Sequence, residues 1–130
     1  MKDITEVYPD EYWYDYQPML ESFGHDIVLQ VDEDDYQGDS YVLFRDADRY
    51  GYLRFGWGSC SGCDALQGSK TIEEVEELRQ ELFDSIQWGD AASLADRLQD
   101  EDVQRCEYSW RVEEWHEFRD KALEILEAAR

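Results

Sequence analysis

Apolar positions along this chain change period part-way through, and that change predicts the architecture. Between Ile27 and Trp57 they come in short extended blocks, and after Thr71 they recur every three or four residues. Ile27-Val28-Leu29-Gln30-Val31 reads as a buried strand, followed by an acidic loop over Asp32-Glu33-Asp34-Asp35-Tyr36-Gln37-Gly38-Asp39. Ser40 to Arg45 predicts a second strand and Tyr50 to Trp57 a third, joined by the four-residue turn Asp46-Ala47-Asp48-Arg49. In the third strand Tyr50, Tyr52 and Arg54 alternate with Leu53, Phe55 and Trp57 about Gly51. One face is therefore expected toward the core and the other toward water or a partner.

The helical period begins at Thr71-Ile72-Glu73-Glu74, a capping-box pattern. Ile72, Val75, Leu78, Leu82 and Ile86 form the apolar stripe of a helix that stops near Trp88-Gly89. A shorter helix after Asp90 uses Ala92, Ala95 and Leu98; Ser109 caps a terminal helix facing inward through Val112, Trp115, Phe118, Ala122, Ile125 and Leu126. Near the start, Trp13, Tyr16, Leu20 and Phe23 are three and four apart, which predicts a short helix after Asp10, interrupted near Pro18 and ended by Gly24. Strands first and helices after predicts an α+β fold: a small antiparallel sheet of about three strands, with three to four helices packed on one face. The expected organisation is a single domain over 1–130, with an aromatic helical segment at 1–24, a meander at 25–58 and helices at 71–129.

Composition narrows what such a fold can do. The 130 residues carry a formal net charge of -21, with 42% hydrophobic and 15% aromatic residues. That much apolar content folds, and places the acid outside. The charge repels phosphate and anionic lipid, so direct contact with nucleic acid or a membrane surface is disfavoured, while a basic partner is attracted. Acidity alone also fits solvation in a salty cytosol, since Lys2, Lys70 and Lys121 are the only lysines against nine arginines. No apolar run approaches the roughly 20 residues of a membrane span, and Met1-Lys2-Asp3 does not open like a signal peptide. The expectation is a cytoplasmic protein.

Candidate chemistry concentrates in Gly56-Trp57-Gly58-Ser59-Cys60-Ser61-Gly62-Cys63-Asp64-Ala65-Leu66-Gln67. Cys60 and Cys63 have the spacing of half a zinc site, which Cys106 and His116 would complete as Cys3His, with His25 in reserve. The same pair would serve as a redox dithiol, or sit reduced in a tight glycine turn. The last is the expectation, with no metal and no cofactor. No nucleophile–base–oxyanion set, Walker loop or dinucleotide fingerprint is present, so no catalysis is expected. The carboxylates of the two longer helices lie mainly opposite the apolar stripes and repeat every 5 to 6 Å or so along the axis, close to the phosphate spacing of a nucleic-acid strand. A solvated face is the bland reading of that pattern, and nucleic-acid mimicry the sharp one.

The 56–67 motif, together with Tyr36-Gln37-Gly38-Asp39-Ser40, Glu73-Glu74-Val75, Ser85-Ile86-Gln87-Trp88 and Tyr108-Ser109-Trp110, resembles a family of small proteins of unassigned activity encoded mainly in bacteriophage and bacterial genomes. The resemblance covers most of the chain after residue 30 and implies a phage-associated, intracellular setting. The resemblance implies a further cysteine soon after Asp-Ala-Leu-Gln in many members, where this chain has Gly68-Ser69; if that cysteine is a ligand there, a metal site is less expected here. The expected function is that of a non-enzymatic acidic interaction protein occupying the basic, nucleic-acid-binding surface of a host defence protein, as an anti-CRISPR or anti-restriction protein would. The residues expected to meet the partner are Asp32, Glu33, Asp34, Asp35, Tyr36, Asp39, Glu73, Glu76 and Glu77. Alternatives are a zinc or thiol module centred on Cys60 and Cys63, and a housekeeping domain of a halophile.

Overall fold

The computed structural model describes residues 1–10, 12–33, 36–58, 64–100 and 112–130. Four strands form one antiparallel sheet in chain order: β1 (Asp26–Asp32), β2 (Gly38–Asp46), β3 (Arg49–Trp57) and β4 (Gln87–Asp90). Around it lie α1 (Ile4–Val7), α2 (Gln17–Glu21), α3 (Ile72–Asp84), α4 (Ala91–Asp100) and α5 (Glu113–Ala129). The class is α+β as expected, with one strand more than the pattern suggested.

The expectation of helices on one face does not hold, because both faces of the sheet are buried. Val42 and Phe44 of β2, with Leu53 and Phe55 of β3, pack beneath α2 and α3 through Met19, Leu20 and Val75. On the opposite face Tyr41, Leu43, Tyr50 and Tyr52 pack against Leu94 and Leu98 of α4 and Trp115, Phe118 and Leu126 of α5. The two tyrosines expected to face water are thus core residues: Tyr50 is 7% exposed and Tyr52 1%. A phenol carries enough apolar ring to fill a core, so tyrosine in an alternating strand does not mark the wet face.

A bulge in β1 accounts for a second departure from simple alternation. Ile27 pairs with Phe44 and Leu29 with Leu43, leaving the exposed Val28 between them without a register partner. The extra residue reverses the parity of the strand. Ile27 accordingly joins the α2/α3 core, and Leu29 and Val31 join the α4/α5 core.

Four segments differ from the sequence reading. Residues 12–15 are irregular, and the N-terminal helices are α1, capped by Asp3 on the Thr5 N–H (2.9 Å), and α2, with Pro18 in its first turn. Helix α3 ends at Asp84, and Gln87–Asp90 becomes an edge strand on β3, so the 71–129 region is not purely helical. Gly51 makes that pairing possible, since a Cβ there would lie 2.6 Å from Ile86 Cγ2 and 2.9 Å from Trp88 Cε3. The β2–β3 turn has two residues, with Ala47 at φ +57°, the positive angle that tight hairpins require at the first central position. Helix α5 starts at Glu113 with Val112 as its N-cap; Ser109, the expected cap, lies outside the described residues.

The start of α3 keeps its expected cap in modified form. The Thr71 hydroxyl accepts from the Glu74 N–H at 3.2 Å, while the Glu74 carboxylate accepts from the Lys70 N–H, one residue earlier than the standard box. On the inner side of α3, Arg79 is 4% exposed. Its guanidinium donates to the Lys2 carbonyl (2.6 Å) and the Ser22 hydroxyl (3.3 Å) and pairs with Glu76 (2.6 Å), which ties the N-terminal segment and the end of α2 to α3.

Candidate functional site

The sheet register builds a polar cleft at one end of the α2/α3 face. Asp32 stands opposite Ser40, and Ser40 opposite Phe55. These positions share the face of Val42 and Leu53 but lie where that apolar core gives way to polar residues. A cleft of 230 Å³ opens there, bounded by Tyr14, Asp15 and Gln17 on one side and by Gln30, Asp32, Ser40 and Trp57 on the other, with Gly58 and Asp64 at its rim. A continuous hydrogen-bond chain lines it. Trp57 Nε1 donates to Ser40 Oγ (2.9 Å), Ser40 Oγ donates to Asp32, and Gln30 Nε2 donates to Asp32 Oδ1 (3.1 Å). Gln17 and Gln30 exchange amide hydrogen bonds at 3.1 and 2.9 Å. Ser40 has a carboxylate partner in Asp32, and no histidine joins this chain of bonds.

The clasp that joins Asp64 to Gly58 was missed in sequence because Asp64 was one acid among many. Asp64 is 5% exposed. Its Oδ2 accepts from the Gly58 N–H (2.8 Å), and its Oδ1 accepts from the N–H groups of Leu66 (2.9 Å) and Gln67 (3.1 Å) and from the Tyr16 hydroxyl (3.1 Å). Gln67 Nε2 donates to the Gly58 carbonyl (2.8 Å), so the Gly58 residue is held at both its polar groups. Leu66 drives the arrangement by burying completely. The Asp-Ala-Leu-Gln tetrapeptide therefore holds Gly58, the residue after β3: two of its side chains bind Gly58 and one fills the core. Its signal in sequence was an Asx pattern, a carboxylate two and three residues before the amides it binds.

Burial and then the neighbouring Asp64 carboxylate push the Tyr16 phenol well above its ordinary value of 10.0. Burial and then Asp15 do the same to Tyr8, whose hydroxyl donates to the Asp15 carbonyl at 2.6 Å. A raised folded-state value means that the native protein holds these protons more tightly than the unfolded chain does. The stability they contribute is complete below the ordinary value of 10.0 and is lost as pH rises beyond it. The urea midpoint should accordingly fall steeply above about pH 10, with a shallower fall for Tyr16→Phe. Parallel declines in the two proteins would contradict the assignment to Tyr16.

The nine residues expected to meet a partner divide into distinct groups. Tyr36 is 83% exposed in the β1–β2 connection, and Asp32 is exposed at the end of β1. Glu33 and Asp39, by contrast, are 3% and 0% exposed and hold that connection together. Glu33 Oε1 accepts from the Asp39 N–H (2.6 Å), the Glu33 N–H donates to the Asp39 carbonyl (3.1 Å), and Asp39 Oδ1 pairs with Arg54 at 3.3 Å. Their carboxylates organise the hairpin and are not presented to solvent. Glu73 and Glu77 are exposed on α3, whereas Glu76 is committed to buried Arg79. Asp34 and Asp35 lie outside the described residues.

The zinc alternative rests on Cys60, Cys63 and Cys106, which also lie outside the described residues; among the described residues no group of metal-binding side chains occurs. His116 is exposed on α5 with Nδ1 3.4 Å from Arg119 Nη2. His25 stacks on Phe83 at 5.9 Å and meets Trp88 edge-on at 4.8 Å, which accounts for it as a packing residue. Among the described residues no helix is long and apolar enough to cross a membrane. Neither protein-family models, nor curated proteins, nor solved structures give a match to this chain.

Proposed function

We propose that the protein is a non-enzymatic acidic interaction protein that covers a basic, nucleic-acid-binding surface on another protein, of the kind phages direct against host defence proteins. The observation that carries this reading is the outer face of α3. Its one basic residue, Arg79, is turned inward, leaving Glu73, Glu74, Glu77, Glu81 and Asp84 exposed with no cation among them. Glu73, Glu77 and Glu81 follow at intervals of four, so they stand in one row with steps of about 6 Å. Like charges at that spacing destabilise the isolated helix by a few tenths of a kcal/mol per pair, a cost that complementary charge on a partner would offset. The outer face of α5 adds Glu117, Asp120, Glu124 and Glu127, only partly balanced by Arg119, Lys121 and Arg130. Exposed Tyr12, Tyr14 and Tyr36 supply the aromatic residues that concentrate binding energy at interfaces.

Reversing Glu73, Glu77 and Glu81 together to lysine tests this reading. Glu76 is excluded from the set because Glu76→Lys would set a cation against buried Arg79. The expected result is unchanged circular dichroism and melting, at least a tenfold loss of partner affinity, and a reduced dependence of affinity on salt. Wild-type affinity in the triple variant would remove α3 from the interface.

A further inference from the structure

We propose that the cleft between the 14–17 segment and the ends of β1, β2 and β3 is a receptor for one arginine side chain of the basic partner, an inference that rests on the function proposed above and gives it a recognition site. The volume of 230 Å³ lies below the roughly 300–1,000 Å³ of pockets that enclose whole cofactors or drug-sized ligands. It suits a single inserted side chain. Tyr14 and Trp57 both line the cleft, and Tyr14 is 66% exposed, so aromatic surface is available to a planar cation. Asp15 and Asp32 supply carboxylates to the same space, and no lysine or arginine is among the residues that line it.

The polar chain described above also favours a donor as guest. Trp57 Nε1, Ser40 Oγ and the Gln30 amide all spend their hydrogens within the wall. Gln17 Nε2 keeps one hydrogen and Asp15 Oδ1 already accepts from the Gln17 N–H, but what the lining has left is mainly acceptor capacity: carboxylate oxygens of Asp32 and Asp15 and the amide oxygens of Gln17 and Gln30. A guanidinium carries five N–H donors and no acceptor, and its flat face stacks on aromatic rings, where an ammonium offers a hydrated point charge. Arginine fits both properties of the lining better than lysine does. The wall is also preformed, because the Asp64 clasp fixes Gly58 at the rim and the strand register fixes Asp32 against Ser40.

N-acetyl-arginine-amide titrated into isotopically labelled protein tests the site, with the uncharged isostere N-acetyl-citrulline-amide and N-acetyl-lysine-amide as comparisons. The Trp57 indole N–H and the side-chain amides of Gln17 and Gln30 are the reporters. The expected result is saturable movement of all three by the arginine compound, with Kd on the order of 1 mM, at least fivefold weaker binding of the lysine compound, and no saturable movement with citrulline. Asp32→Asn, which keeps an acceptor for Ser40, should weaken arginine binding at least fivefold, and Tyr14→Ala, at an exposed position, should weaken it about threefold. Equal movement with citrulline, or arginine-dependent shifts confined to α3 and α5 with Trp57 unmoved, would overturn the proposal. The two readings fail separately. Loss of partner binding in the α3 reversal variant with no arginine response at Trp57 removes only the cleft; an intact arginine response with partner binding indifferent to the reversal removes only the acidic helix surface.

Discussion

Trp115→Ala should lower unfolding free energy by about 3–5 kcal/mol, the range for a large aromatic removed from a core that cannot collapse around the gap. Trp115 is fully buried and sits among Tyr41, Tyr52 and Phe118 at ring-centroid distances of 5.5, 6.1 and 6.2 Å. Two of these rings come from the two central strands and one from α5 itself, so the indole bridges the helix layer to the sheet. Its Nε1 has no hydrogen-bond partner among the described residues, and Trp115→Phe therefore sacrifices packing alone. That variant should cost about 1–2 kcal/mol. Urea denaturation of the three proteins decides the matter. A loss below about 1 kcal/mol for the alanine variant would mean that α5 does not cap the Tyr41/Tyr52 face.

Asp64→Ala should cost about 3 kcal/mol, since it leaves the buried Gly58 and Leu66 N–H groups and the half-buried Gln67 N–H without their carboxylate acceptor. Asp64→Asn preserves the volume and one acceptor oxygen but turns an amide toward a donor. It should fall between wild type and alanine. Gln67→Ala releases only the Gly58 carbonyl, for a loss of about 1 kcal/mol. Hydrogen exchange supplies a readout that stability alone does not: the Gly58 and Leu66 amides should lose protection in Asp64→Ala well before those of β2. Stabilities within about 0.5 kcal/mol of wild type would contradict the clasp.

The class of the fold was legible because α3, α4 and α5 each carry an apolar stripe at helical spacing, and because β2 and β3 are rich in aromatic and branched residues. The second helix layer was not legible from alternation. Tyr41-Val42-Leu43-Phe44 is a continuous apolar run, the pattern of a strand buried on both faces, but the tyrosines of β3 suggested a wet face beside it. The bulge at Val28 leaves no trace in a run of three branched residues, since each of them suits either face. Strand β4 is hidden in a short stretch with Gly89 at its centre; its pairing depends on the absence of a side chain at Gly51, a property of the partner strand.

The candidate site was legible in outline and obscured in detail by abundance. With 33 acidic residues in the chain, nothing in their types separates Asp39 and Asp64, which are structural, from Asp32 and Glu73, which are presented to solvent. Burial separates them, and burial follows from tertiary neighbours: Arg54 beside Asp39, and the amides of a tight turn around Asp64. Arg79 is the converse case, a cation at a stripe position whose partners are the Lys2 carbonyl, Ser22 and Glu76.

The central claim, that this acidic surface takes the place of nucleic acid on a basic partner, is tested most directly by competition. Bacterial lysate passed over the immobilised protein at low salt should leave nucleic-acid-binding proteins on the column. Excess duplex DNA and a salt step should each release them, and a column of the Glu73→Lys/Glu77→Lys/Glu81→Lys variant should not retain them. An empty column, or captured protein that stays bound through molar salt and excess duplex DNA, would contradict the account.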